Sequence, residues 1–125
     1  MKNIMDNYST DELQEAFRPI DSLISKSEKA QKKLTLGTWQ HKMLQDNLKA
    51  LHHASALMNK NTNNNENFTR EVLQEDLHAF ASMINKTEKA QAKFFPGTSQ
   101  NTLLRNRLNA LRLAEELIKV ELDKG

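Results

Sequence analysis

The chain has no cysteine, which removes both a disulfide framework and a thiolate zinc site. Three glycines and two prolines in 125 residues leave little turn material. That scarcity favours a few long helices over many short strands. No stretch approaches the roughly 18 consecutive apolar residues of a membrane span, so no transmembrane segment is expected. The first seven residues carry one lysine with no apolar run behind it, so no secretion signal is expected. The net charge of +2 is mild, well short of the dense basic stripe of a committed DNA-binding domain. There is no Gly-x-Ser-x-Gly and no glycine-rich phosphate loop of the required form. These absences describe a non-enzymatic chain without cofactor, with the cytoplasm as the expected compartment. Richness in Lys and Asn points to an AT-rich bacterial genome.

What the chain does contain is a repeat. Shifted by 60 residues, positions 13–60 lie over 73–120 without a gap, and 20 of these 48 positions are identical. Such self-similarity is read before any local pattern. Each half reads as helix, tight turn, helix. Apolar residues recur at Leu13, Phe17, Ile20, Ile24 and Leu34, and at Leu73, Leu77, Phe80, Ile84 and Phe94. Spacings of three and four mark one buried helix face, so these helices are expected to reach about residues 34 and 94. Ser9 and Glu12 form a capping box with Tyr8 and Leu13 as staple; Thr69 caps the second copy, with Phe68 and Leu73 as staple. Pro19 predicts a kink, or a short helix followed by a long one.

The turns read Thr35-Leu36-Gly37-Thr38 and Phe95-Pro96-Gly97-Thr98. Gly suits a left-handed residue past a helix end, and Thr suits the next N-cap. The second helices carry Met43, Leu44, Leu48, Leu51, Ala54, Leu57 and Met58, and Leu103, Leu104, Leu108, Leu111, Ala114, Leu117, Ile118 and Leu122. A polar, Asn-rich linker at 60–68 separates repeat 1 (9–60) from repeat 2 (69–124). One apolar stripe per helix cannot be buried within a single hairpin. The expected fold is therefore all-α: one domain over 1–125, a four-helix up-down-up-down bundle of two tandem hairpins with pseudo-twofold symmetry. Both Gly-Thr turns then share one pole.

Identity between the halves is densest just before that pole, in the Lys-Ser/Thr-Glu-Lys-Ala-Gln segments. Lys29, Lys33, Gly37, Thr38 and Gln40, with Lys89, Lys93, Gly97, Thr98 and Gln100, form the candidate binding set. Two helix N-termini ringed by lysines can hold an anion. The competing structural reading is ordinary capping, with lysines complementing helix dipoles. Glu88 keeps its place although Ala92 replaces the matching Lys32, so an inter-helix ion pair or a partner contact explains it better than an i,i+4 pair. Ser27, Gln31, Thr87 and Gln91 lie on the continued apolar stripe and read as a polar core layer. Trp39 reads better as a lid on the bundle than as an anchor for a partner.

No metal site is expected. Glu75 and His78 have the Glu-x-x-His spacing of di-iron bundles, but the matching pair is Glu15 and Arg18. His52 and His53 diverge on a helix, and His41 stands alone. Lys42, Lys49, Arg105, Arg107 and Arg112 dot the second helices, interrupted by Asp46, Glu115 and Glu116. The leading expectation is a protein-binding or regulatory module acting through the repeated pole. The alternative is a binder of nucleic acid or an anionic ligand. The chain is expected to be a monomer or homodimer without membrane contact, and a third reading makes it a once-dimeric hairpin fused into one chain.

Overall fold

A computed structural model describes residues 10–58 and 69–124. Within them lie four helices and no strand: α1 (Thr10–Lys32), α2 (Trp39–Met58), α3 (Arg70–Gln91) and α4 (Ser99–Lys124). The capping box of Ser9, the staples of Tyr8 and Phe68, and the Asn-rich linker fall outside the described residues.

The helices pack α1 on α2, α2 on α3, α3 on α4 and α4 back on α1. In addition α2 touches α4 across the diagonal, while α1 and α3 stay apart. The residue sizes explain this. Alanines 50, 54, 110 and 114 are all buried on α2 and α4, and short side chains let two helix axes approach. The wider diagonal is filled by Ile20 of α1 and Phe80 of α3, both with no exposed surface. Leu51, Leu111, Leu117 and Ile118 complete the fully buried centre.

Most expected core positions are buried, but the stripes are shorter at their ends. The first and third helices stop at Lys32 and Gln91, two or three residues before the expected ends. The chain there tightens into i→i−3 bonds, Leu34 N to Gln31 O and Phe94 N to Gln91 O, each 3.1 Å. Such bonds satisfy the last carbonyls while taking the chain out of the helix. Phe94 and Leu103, expected on buried stripes, are exposed. Conversely, Ala16, Ala79 and Met83 join the core.

Pro19 does not divide its helix: α1 runs unbroken through it. The matching residue, Ala79, is buried in the uninterrupted α3. Pro19→Ala therefore restores an amide donor and removes a clash worth about 3 kcal/mol. Against this stands about 0.4–1 kcal/mol of regained unfolded-chain freedom. The helix term wins, so the variant is expected to unfold at higher denaturant concentration, by about 2 kcal/mol. An unchanged urea midpoint would show that α1 already absorbs the proline without cost.

Candidate functional site

The two turns have one architecture. Thr38 N donates to Thr35 O and Thr98 N to Phe95 O, each 3.3 Å. Gly37 and Gly97 sit at φ +88° and +91°. A four-residue turn with positive φ at its third position has the type II signature, which also favours Pro at the second, as at Pro96. The glycines thus belong to a β-turn between helices rather than to the helix C-caps. A Cβ at either glycine would meet nothing within 4 Å, so the backbone angle alone demands Gly.

Thr38 and Thr98 are N-caps, as expected. Thr38 Oγ1 accepts from His41 N at 3.3 Å and donates to Thr35 O at 2.8 Å. Thr98 Oγ1 accepts from Asn101 N at 3.1 Å and donates to Phe95 O at 2.8 Å. The second turn has an extra brace, since Asn101 Nδ2 donates to Phe94 O at 3.1 Å and Gln91 O at 3.4 Å. His41 holds the matching place in the first half. Gly37, Thr38, Gly97 and Thr98 are thereby accounted for by turn geometry and capping. The remaining members of the candidate set, Lys29, Lys33, Gln40, Lys89, Lys93 and Gln100, are all exposed. Those four lysines make no ion pair among the described residues.

Of the expected polar layer, Thr87 is buried and its hydroxyl donates to Met83 O at 2.7 Å, within its own helix. Ser27, Gln31 and Gln91 are half-buried, and no hydrogen bond joins the four side chains to one another. Glu88 Oε2 accepts from Arg112 Nη2 at 2.9 Å, an inter-helix pair of the kind its persistence calls for. The scattered basic residues of α2 and α4 are partly engaged. Lys42 pairs with Asp46 at 3.4 Å, Arg112 with Glu88, and partial burial pulls the Arg107 guanidinium below its ordinary value.

Trp39 is not a lid: it is 69% exposed. Leu36 and Phe95 are 80% and 83% exposed, and Phe94 and Leu103 also face solvent. Among the described residues these five are the large exposed hydrophobics, and every one lies between two helices or in the first five residues of the helix that follows. The sequence marked the aromatics but not their direction, because a tip residue can fold onto a bundle end or away from it with the same spacing.

Two cross-links join the hairpins between α2 and α3. Lys86 Nζ lies 3.0 Å from Met43 Sδ. Asp76 Oδ2 accepts from His53 Nδ1 at 2.6 Å. From Met43 to His53 the α2 partner moves ten residues forward, while on α3 it moves ten back. Asp76 is 2% exposed. A buried carboxylate is tolerated only when hydrogen-bonded, and the imidazole meets that need. Sequence reasoning missed this pair, although a signal existed: Asp76 falls where Ala16 stands in the other half, and His53 where Leu113 stands.

Beside these contacts an open groove of about 520 Å³ runs between α2 and α3, with Trp39, Lys42, Met43, Glu75, Ala79 and Ser82 on its walls. A groove of about 460 Å³ occupies the matching seam of α4 and α1, between Ala16, Pro19, Asn106, Asn109, Ala110 and Leu113. It has no aromatic wall. Among the described residues no cluster of three or more His, Asp or Glu is placed to hold a metal ion, and no helix is long and apolar enough to cross a membrane. No protein-family model, curated protein or solved structure matches the chain.

Proposed function

We propose that the chain is a non-enzymatic cytoplasmic bundle of up-down-up-down order, two duplicated hairpins related by a pseudo-twofold axis, which binds a partner protein through the pole carrying both Gly-Thr turns. The opposed steps of the Met43–Lys86 and His53–Asp76 contacts support an antiparallel α2 and α3. That order brings the turn before α2 and the turn after α3 to one end. The single observation that carries the reading is the gathering of exposed Leu36, Trp39, Phe94, Phe95 and Leu103 around those turns. Exposed apolar clusters rimmed by polar residues mark interaction surfaces.

The halves act as controls on each other. Ser99 stands where Trp39 does, and Thr35 where Phe95 does. The turn therefore forms with a polar residue at either place, so folding does not require the apolar one.

The test is charge reversal in pairs, Lys29→Glu with Lys33→Glu, and Lys89→Glu with Lys93→Glu. Exposed substitutions of this kind change stability by about 0.5 kcal/mol or less, so melting should hold. Retention of partners from a source lysate should fall about tenfold, the effect of about 1.4 kcal/mol. Unchanged melting together with unchanged retention would end this reading.

The lysines without ion pairs also favour a second reading, an anionic ligand or nucleic acid. That binding should fall steeply with salt. No filter retention of nucleic acid at low salt eliminates it.

A further inference from the structure

We propose that the pole of both turns seats the protein on an anionic bilayer, with its apolar tips in the headgroup region and its lysines against acidic lipids. The surface is the one assigned above to a partner protein, but the two readings stand or fall separately.

The observation that carries the proposal is a layering of chemistry along the bundle. Both turns lie at one end when α2 and α3 run antiparallel, as the Met43–Lys86 and His53–Asp76 contacts support. Outermost are Leu36 and Phe95, with Trp39, Phe94 and Leu103 beside them, all exposed. A basic belt comes next. Residues 25–48 and 85–108, the same window in each repeat, hold ten Lys and Arg against three Asp and Glu. Of those three acids, Asp46 meets Lys42 and Glu88 meets Arg112. The rest of the four helices holds six Lys and Arg against eleven Asp and Glu. The mild charge of the whole chain therefore conceals a window of +7.

An anionic leaflet has the same order along its normal. Trp, Phe and Leu settle at the headgroup–acyl boundary, about 5–10 Å deep. Attraction for Lys and Arg fades within a Debye length, about 8 Å at physiological salt. At about 1.5 Å per residue, Lys26 and Lys86 stand within about 10 Å of the turn-side ends of α1 and α3. Asp21, Asp76 and Glu115 lie more than about 15 Å from the turn-side ends of their helices. The belt thus falls inside the field and the acids largely beyond it. Eight of the ten cations are lysines, whose stems can lie along apolar groups while the ammonium stays in water.

The rivals fit less well. Neither seam groove takes in Leu36, Phe94, Phe95 or Leu103, and a bilayer requires no matching concavity. Nucleic acid stacks on aromatic rings and has no such use for aliphatic Leu36 and Leu103. Pole to pole, a second copy sets like charge against like charge.

Trp39 is the sole tryptophan, so its emission reports contact. Mixed with phosphatidylglycerol vesicles, the full-length chain should sediment with them and its emission should shift to the blue. Phosphatidylcholine vesicles should do neither. Each Lys beside an anionic surface contributes about a factor of five, so Lys89→Gln with Lys93→Gln should weaken vesicle binding about twentyfold. Phe95→Thr should weaken it about tenfold, because binding scales with the apolar area inserted. Melting of both variants, measured alongside, should stay at the wild-type value; the first turn already carries Thr35 at the place of Phe95.

No sedimentation with phosphatidylglycerol vesicles overturns the proposal, as does equal binding to phosphatidylcholine. So does binding unchanged in either variant, or a blue shift produced by oligothymidylate alone. A partner retained from a membrane-free lysate, without vesicle binding, refutes the bilayer and leaves the partner-protein reading standing. Vesicle binding with no such partner does the reverse.

Discussion

His53→Leu alone is expected to destabilise the protein by about 3 kcal/mol, the cost of leaving the buried Asp76 carboxyl without its hydrogen-bond partner. The carboxylate of Asp76 has almost no exposed surface and takes its hydrogen bond from His53. Leucine offers it nothing. Asp76→Ala should cost less, about 1 kcal/mol, because the His53 side chain keeps 16% of its surface exposed to water after losing one hydrogen bond. The double variant is the decisive one. It installs the Leu and Ala that the matching seam of α4 and α1 already has at 113 and 16. Replacing a buried pair by packed apolar groups is often neutral, or stabilising by about 1–4 kcal/mol. The double variant should thus recover most or all of the loss, giving a large coupling in a double-mutant cycle. Urea unfolding of the four proteins measures it. Additive losses would show that the two side chains do not sustain each other.

Phe80→Ala is expected to cost about 3–5 kcal/mol, by lost transfer energy and by the cavity left behind. Phe80 has no exposed surface and heads the fully buried side chains in volume. It fills the wide diagonal between α1 and α3, where no neighbouring helix can close in. Phe80→Ile, the residue of the other half, should cost distinctly less, because most of the side-chain volume is kept. If the alanine and isoleucine variants unfold at one denaturant concentration, the site collapses freely and the rigid-diagonal picture is wrong.

The four helices were legible because their apolar spacing is local and recurs along the chain. Leu48, Leu51, Ala54 and Leu57 recur as Leu108, Leu111, Ala114 and Leu117, and each of these eight is buried. The caps at Thr38, Thr69 and Thr98 were legible for the same reason: a hydroxyl before an amphipathic run has one good use. The glycines were placed correctly, as positive-φ residues in the turns past the helix ends. Helix ends tighten by bonds that leave no residue signature, so the stops at Lys32 and Gln91 were not legible.

The site was harder. Spacing identifies which residues stand at a tip, not which way they point. Trp39 accordingly read as a cover and Phe94 as the end of a buried stripe, and both are exposed. Asp76 drew no notice in the sequence, where Asp and Glu are scattered along every helix. Its burial follows from a seam between hairpins, which the sequence of either hairpin alone does not contain.

The alanine ridge shared by α2 and α4 has a bearing on how the molecule comes apart. Neither hairpin can lift away without parting that ridge and baring Leu51 and Leu111 together. The halves should therefore be lost in a single cooperative event, with no stage at which one has melted and the other survives.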